Sequence, residues 1–106
     1  MRKAESLAAV RRWFLAEVAK LWPVAGGSLS LRKSPCVRES CAACASGEGH
    51  PSYVLYTRRA GRRGALYVPD ALAAELATAV ANGRTLHALI VEAGRRYLDA
   101  RKAGRQ

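Results

Sequence analysis

Acidic residues are scarce in this chain, and that scarcity constrains its chemistry more than any other count. Eight Asp and Glu stand against eighteen Lys and Arg, a formal net charge of +10 over 106 residues. The acids are scattered singly, with neither a carboxylate pair nor a Ser-His arrangement, so the general acid–base and nucleophilic reaction classes have little to work with. A catalytic zinc with His50 or Glu48 as base is the weaker of the metal readings, and the chain is read as no enzyme. Large apolar side chains are also few. Half of the residues are hydrophobic, but alanine supplies much of that half, and there is one Phe and one Met. Such a core is small, and a domain of this size gains from an extra staple.

Other absences bear on location. No run approaches the roughly 18 continuous apolar residues of a membrane span. The N-terminal stretch MRKAESLAAVRRWFLAEVAKLW lacks an apolar segment followed by a small-residue cleavage site, and Glu5 and Glu17 do not suit a transit peptide. A cytoplasmic, reducing location is expected. There, clustered cysteines are metal ligands more often than disulfide partners.

What the chain does have is basic charge, and a surplus of this size favours polyanions, nucleic acid first. Arginine outnumbers lysine, as a GC-rich genome would leave it, but that bias does not account for the missing acids. Binding to a membrane surface through the first helix ranks lower, because Glu5 and Glu17 interrupt the basic face.

Periodicity predicts a single small α+β domain over 1–106: an N-terminal helix, three short antiparallel strands around a metal-binding cysteine loop, and two C-terminal helices. An amphipathic helix is expected within 1–22, with Leu7, Val10, Phe14, Val18, Leu21 and Trp22 on one face. The module at 26–68 holds the strand SLSLRK, the cysteine loop, and a hairpin of Tyr53–Arg59 and Ala65–Val68 around Ala60–Gly64. Within 69–102, Pro69-Asp70 opens a helix to about Ala81. Asn82-Gly83 reads as its stop, and Thr85 as the cap of a second helix. Residues 103–106 form a basic tail expected to fray. The last helix has a broad apolar arc, Leu86, Leu89, Ile90, Val91, Ala93, Tyr97 and Leu98, wide enough to pack on two sides. That width suggests a larger protein complex or a homodimer.

All three cysteines and one of the two histidines fall in Cys36-x4-Cys41-x2-Cys44-x5-His50. Structural zinc takes four such ligands in a tetrahedron, and the small residues between them let one loop wrap an ion. Cys36, Cys41, Cys44 and His50 are the expected ligands, with His87 the alternative fourth. The Cys-x4-Cys-x2-Cys spacing is also that of plant-type [2Fe–2S] loops, but those need a fourth cysteine further on, and none follows Cys44. An unmetallated loop is the third possibility.

The same residues resemble a small prokaryotic family of uncharacterised basic Cys3His proteins, often encoded near mobile-element genes. Gly27-Ser28-Leu29, the cysteines, His50, Tyr53 and Val68-Pro69 carry the likeness, over about residues 26–100. The chain departs from the family in the spacing of its last two cysteines and in having His50-Pro51-Ser52-Tyr53 for His-Gly-Pro-Tyr. The resemblance implies a metal-stapled fold and carries no activity with it.

TRRAGRRG places Arg58, Arg59, Arg62 and Arg63 around the hairpin tip, where planar guanidinium groups suit phosphates. Arg32 and Lys33 are expected to extend that face. Tyr53, Tyr56 and Tyr67 stand nearby as possible base platforms, though such tyrosines are more often sheet or core residues. Arg95 and Arg96 form a second basic set on the last helix. The expected function is zinc-stabilised binding of DNA or RNA through the arginine-rich hairpin, and the alternative is an adapter subunit of a larger complex.

Overall fold

A computed structural model describes residues 5–34 and 50–104; within the strands, the side chains of Lys33, Ser34 and His50 fall outside that description. The first helix, α1 (Leu7–Val18), starts where Ser6 accepts a hydrogen bond from the Ala9 backbone N–H at 3.0 Å, satisfying one of the first turn's free donors. It is shorter than the expected 1–22 stretch: the chain leaves the helix before Leu21, and Trp22 is exposed.

Three strands follow: β1 (Ser28–Ser34), β2 (His50–Arg59) and β3 (Arg62–Val68). They form one antiparallel sheet in the order β1-β2-β3. Leu29 faces Leu55 across β1 and β2, and Leu55 faces Leu66 across β2 and β3. The hairpin is tighter than the sequence reading had it. Arg59 pairs with Arg62, leaving a two-residue turn, Ala60-Gly61, with φ of +52° and +80°. Positive φ at both central residues is the type I′ geometry, whose twist matches that of the flanking strands. Arg62, Arg63 and Gly64 therefore belong to β3 and not to a loop.

The C-terminal region is also corrected. A short 3-10 turn (Asp70–Leu72) leads into one helix, α2 (Ala73–Ala103), of 31 residues and about 46 Å. Asn82-Gly83 does not stop it, because both residues serve a tertiary contact. The Ala25 backbone N–H donates to the Ala79 carbonyl at 2.9 Å, and Asn82 Nδ2 donates to the Pro23 carbonyl at 2.8 Å. A Cβ at Gly83 would overlap the Ala25 carbonyl oxygen. The glycine lets the segment between α1 and β1 lie directly on the helix. Thr85 caps nothing; its Oγ1 donates back to the Ala81 carbonyl at 3.3 Å, as threonine does inside a helix.

The long helix is thus the spine of the molecule. Its N-terminal half lies against the sheet, where Val80 and Leu76 meet Leu55, Val68, Leu29 and Tyr53. Its C-terminal half carries α1. There the Arg96 guanidinium stacks 3.9 Å from the Trp13 ring centroid, and it pairs with Glu5 at 3.6 Å and Glu92 at 4.0 Å. The core is thin. Among the described residues Val10, Leu55, Val68, Ala79, Val80 and Ala100 are buried, and no large side chain is completely so. None of the described helices is long and apolar enough to cross a membrane.

Candidate nucleic-acid interface

Strand side chains alternate between faces, and residues paired across an antiparallel ladder share a face. With the register known, this rule sorts the basic and aromatic residues. Leu29, Tyr53, Leu55 and Val68 fall in the row that meets α2. Tyr53 is therefore core and offers no platform. The opposite row carries Ser28, Ser30 and Arg32 from β1, Val54, Tyr56 and Arg58 from β2, and Arg63, Ala65 and Tyr67 from β3. No described element covers this face.

The four hairpin arginines separate into two cross-strand pairs, Arg58 with Arg63 on the open face and Arg59 with Arg62 on the other. All four are exposed. Like charges directly opposite each other destabilise a ladder. No Asp or Glu occurs in any of the three strands, and no described ion pair engages these arginines. The repulsion is left for something outside the described residues to relieve.

β2 and β3 run on beyond the start of β1, since Ser28 pairs with Tyr56 and residues 57–59 have only β3 as neighbour. That step opens a cleft of about 690 Å³, lined by Gly26, Gly27 and Ser28 on one side and by Tyr56, Arg58 and Arg63 on the other. Gly27 shapes its floor. Its φ is +101°, and a Cβ there would overlap the Tyr56 carbonyl oxygen, so only glycine fits. Arg32 Nη1 donates to the Tyr56 hydroxyl at 2.6 Å, holding the ring and placing a third guanidinium beside it.

The remaining expected residues are placed as follows. Arg32 pairs with Ser52 on the open face, and the side chain of Lys33 lies outside the described residues. Arg96 is engaged with Trp13, Glu5 and Glu92, on a helix that lies behind the sheet; Arg95 is exposed on the same helix. Cys36, Cys41 and Cys44 lie outside the described residues. Among the described residues no three His, Cys, Asp or Glu side chains gather as a metal site. The backbone of His50 opens β2 and pairs with Ser34, the last residue of β1, so the fifteen-residue cysteine segment starts and ends at neighbouring sheet positions. His87 lies near Ala25, Gly26 and Gly27, before the first residue of β1. It is separated from Ser34 by the length of a strand, roughly 20 Å.

Alternation alone predicts that Tyr53 and Tyr56 part company. Which of the two faces the helix needed the packing of Val80 and Leu76. No protein-family model, curated protein or solved structure matches this chain.

Proposed function

We propose that this protein binds nucleic acid without catalysis, through the open face of its sheet and the arginine-rich hairpin, on a fold stapled by zinc. The observation that carries the reading is the acid-free sheet: Arg58 faces Arg63 and Arg59 faces Arg62 across the hairpin with no counter-charge among the described residues, beside a cleft flanked by Arg58 and Arg63. A phosphate backbone relieves that repulsion and accepts the planar donors bidentately.

The zinc reading is supported by the donor set and by the topology around it. Three thiols and one imidazole are a complete structural set. Among the described residues no large side chain is completely buried, and so thin a core benefits from a metal that ties two strand ends together. Cys36 follows Ser34 by two residues in the sequence, and His50 pairs with Ser34 at one end of the sheet. His87 stands at the other end. In this reading Cys36, Cys41, Cys44 and His50 hold the ion, which steadies the β1–β2 pairing and with it the hairpin.

Binding should weaken steeply as salt rises, because each neutralised phosphate releases counterions. The variant with Arg58, Arg59, Arg62 and Arg63 all replaced by Ala should lose most of its affinity and show a shallower salt slope. Full affinity in that variant, measured by fluorescence anisotropy, would remove the hairpin from the interface.

A second reading, the adapter subunit, is favoured by one specific observation. Ile90, Val91, Tyr97 and Leu98 on α2 are 52–64 % exposed, at helical spacings that continue the face Leu76 and Val80 turn to the sheet. A protein partner held there would survive both high salt and the arginine substitutions.

A further inference from the structure

Resting on the nucleic-acid reading, we infer that the polymer is single-stranded, with unpaired bases stacked on Tyr67 and Tyr56 while Arg32, Arg58 and Arg63 hold the phosphates. Both rings and all three guanidinium groups belong to the one sheet face that no described element covers. Tyr56 pairs with Ala65, so Tyr67 sits diagonally two positions along β3, at roughly 7 Å between backbones. Bases splayed from a single strand can occupy two such platforms; bases paired inside a duplex present only their edges.

Tyr67 is 70 % exposed. The ring–ring pair among the described residues is Trp13 with Phe14, and the cation–π contact is Arg96 with Trp13. The Tyr67 ring face is therefore open. Its surroundings among the described residues are small, with Val54 across the ladder and Ala65 two positions before it. Tyr56 is half-buried and is fixed by its hydrogen bond to Arg32. One platform is thus held in place beside a guanidinium, and the other is free.

The competing geometry is a two-stranded ribbon laid into the major groove of a duplex. That arrangement would lay the Arg58–Arg63 face along the base edges, where Tyr56 and Tyr67 would find no unpaired base to stack on. The charge complementarity is common to both polymers. The tyrosines decide between them.

The test compares labelled oligouridylate, oligothymidylate and a duplex of matched length by fluorescence anisotropy at low salt, with full-length zinc-loaded protein. The expected result is single-strand binding at least tenfold tighter than duplex binding, with either sugar. Tyr67→Ala and Tyr67→Leu should each weaken the single strand by roughly 5- to 100-fold, the loss of one base–aromatic stack. Both should leave duplex affinity unchanged, and Tyr67→Phe should bind like wild type. Far-UV dichroism checks that each variant is folded. Duplex binding as tight as single-strand binding, or tyrosine substitutions that act on both polymers alike or on neither, would overturn the single-strand inference while leaving the arginine-based reading in place. No binding to any of the three polymers would overturn both.

Discussion

Replacing Gly83 with alanine sets two effects of opposite sign against each other. Inside an exposed helix, alanine is better than glycine by about 1 kcal/mol. At Gly83 the added methyl would enter the Ala25 carbonyl oxygen and press on its carbon at 3.0 Å. The segment from Pro23 to Gly27 would have to withdraw. Two hydrogen bonds hold it, Ala25 N–H to the Ala79 carbonyl at 2.9 Å and Asn82 Nδ2 to the Pro23 carbonyl at 2.8 Å. Losing them costs roughly 0.5–1.5 kcal/mol each, and overpacking adds about 1–3 kcal/mol. The net effect of Gly83→Ala is a destabilisation of about 3 kcal/mol after the helix gain is set against it. The control lies eleven residues along the same helix. A Cβ at Gly94 meets nothing within 4 Å, so Gly94→Ala should stabilise by about 0.5–1 kcal/mol. The two variants should melt roughly 14–32 °C apart for a domain of this size. Thermal unfolding followed at the helix band, in zinc-containing buffer, reads the difference directly. A Gly83→Ala protein that melts with or above Gly94→Ala would refute the docked segment and restore Asn82-Gly83 as an ordinary sequence signal.

Two further outcomes are expected. Ala60 has a φ of +52°, a region that costs an alanine about 1 kcal/mol and that asparagine tolerates better; Ala60→Asn should raise the urea midpoint accordingly, and a lowered midpoint would rule out the type I′ turn. Zinc measured on protein purified without chelator should be stoichiometric with the chain, and it should disappear in Cys41→Ser and His50→Ala but persist in His87→Ala. Iron with sulfide, or three titratable thiols in untreated protein, would end the zinc reading.

The sequence by itself determined the element types and most of their positions. Alternation in SLSLRK and YVLYTRR marks strands because one face must be apolar to meet a helix and the other need not be. The spacing of Val10 and Phe14, and of Leu72, Leu76 and Val80, marks helices for the corresponding reason. The charge surplus and the cysteine spacing were equally legible, since composition and short-range spacing survive any fold. Tertiary structure decided three other matters. It determined the length of the hairpin turn, because Ala60-Gly61 lacks the usual Asn-Gly pattern and the ladder pairs Arg59 with Arg62 all the same. It joined two expected helices into one, because Asn82 and Gly83 spend their polarity and their missing side chain on the Pro23–Gly27 segment and not on a helix end. And it chose which residues can act together. Tyr53 and Tyr56 are three apart and look alike in the sequence, but one is packed against the Leu55, Val68 and Val80 core and the other hydrogen-bonds to Arg32 on the open face. Arg96 looks like Arg95, but a tryptophan from the far end of the chain has taken it. Local pattern fixes what each residue can be, and long-range contact fixes which face it is left to serve.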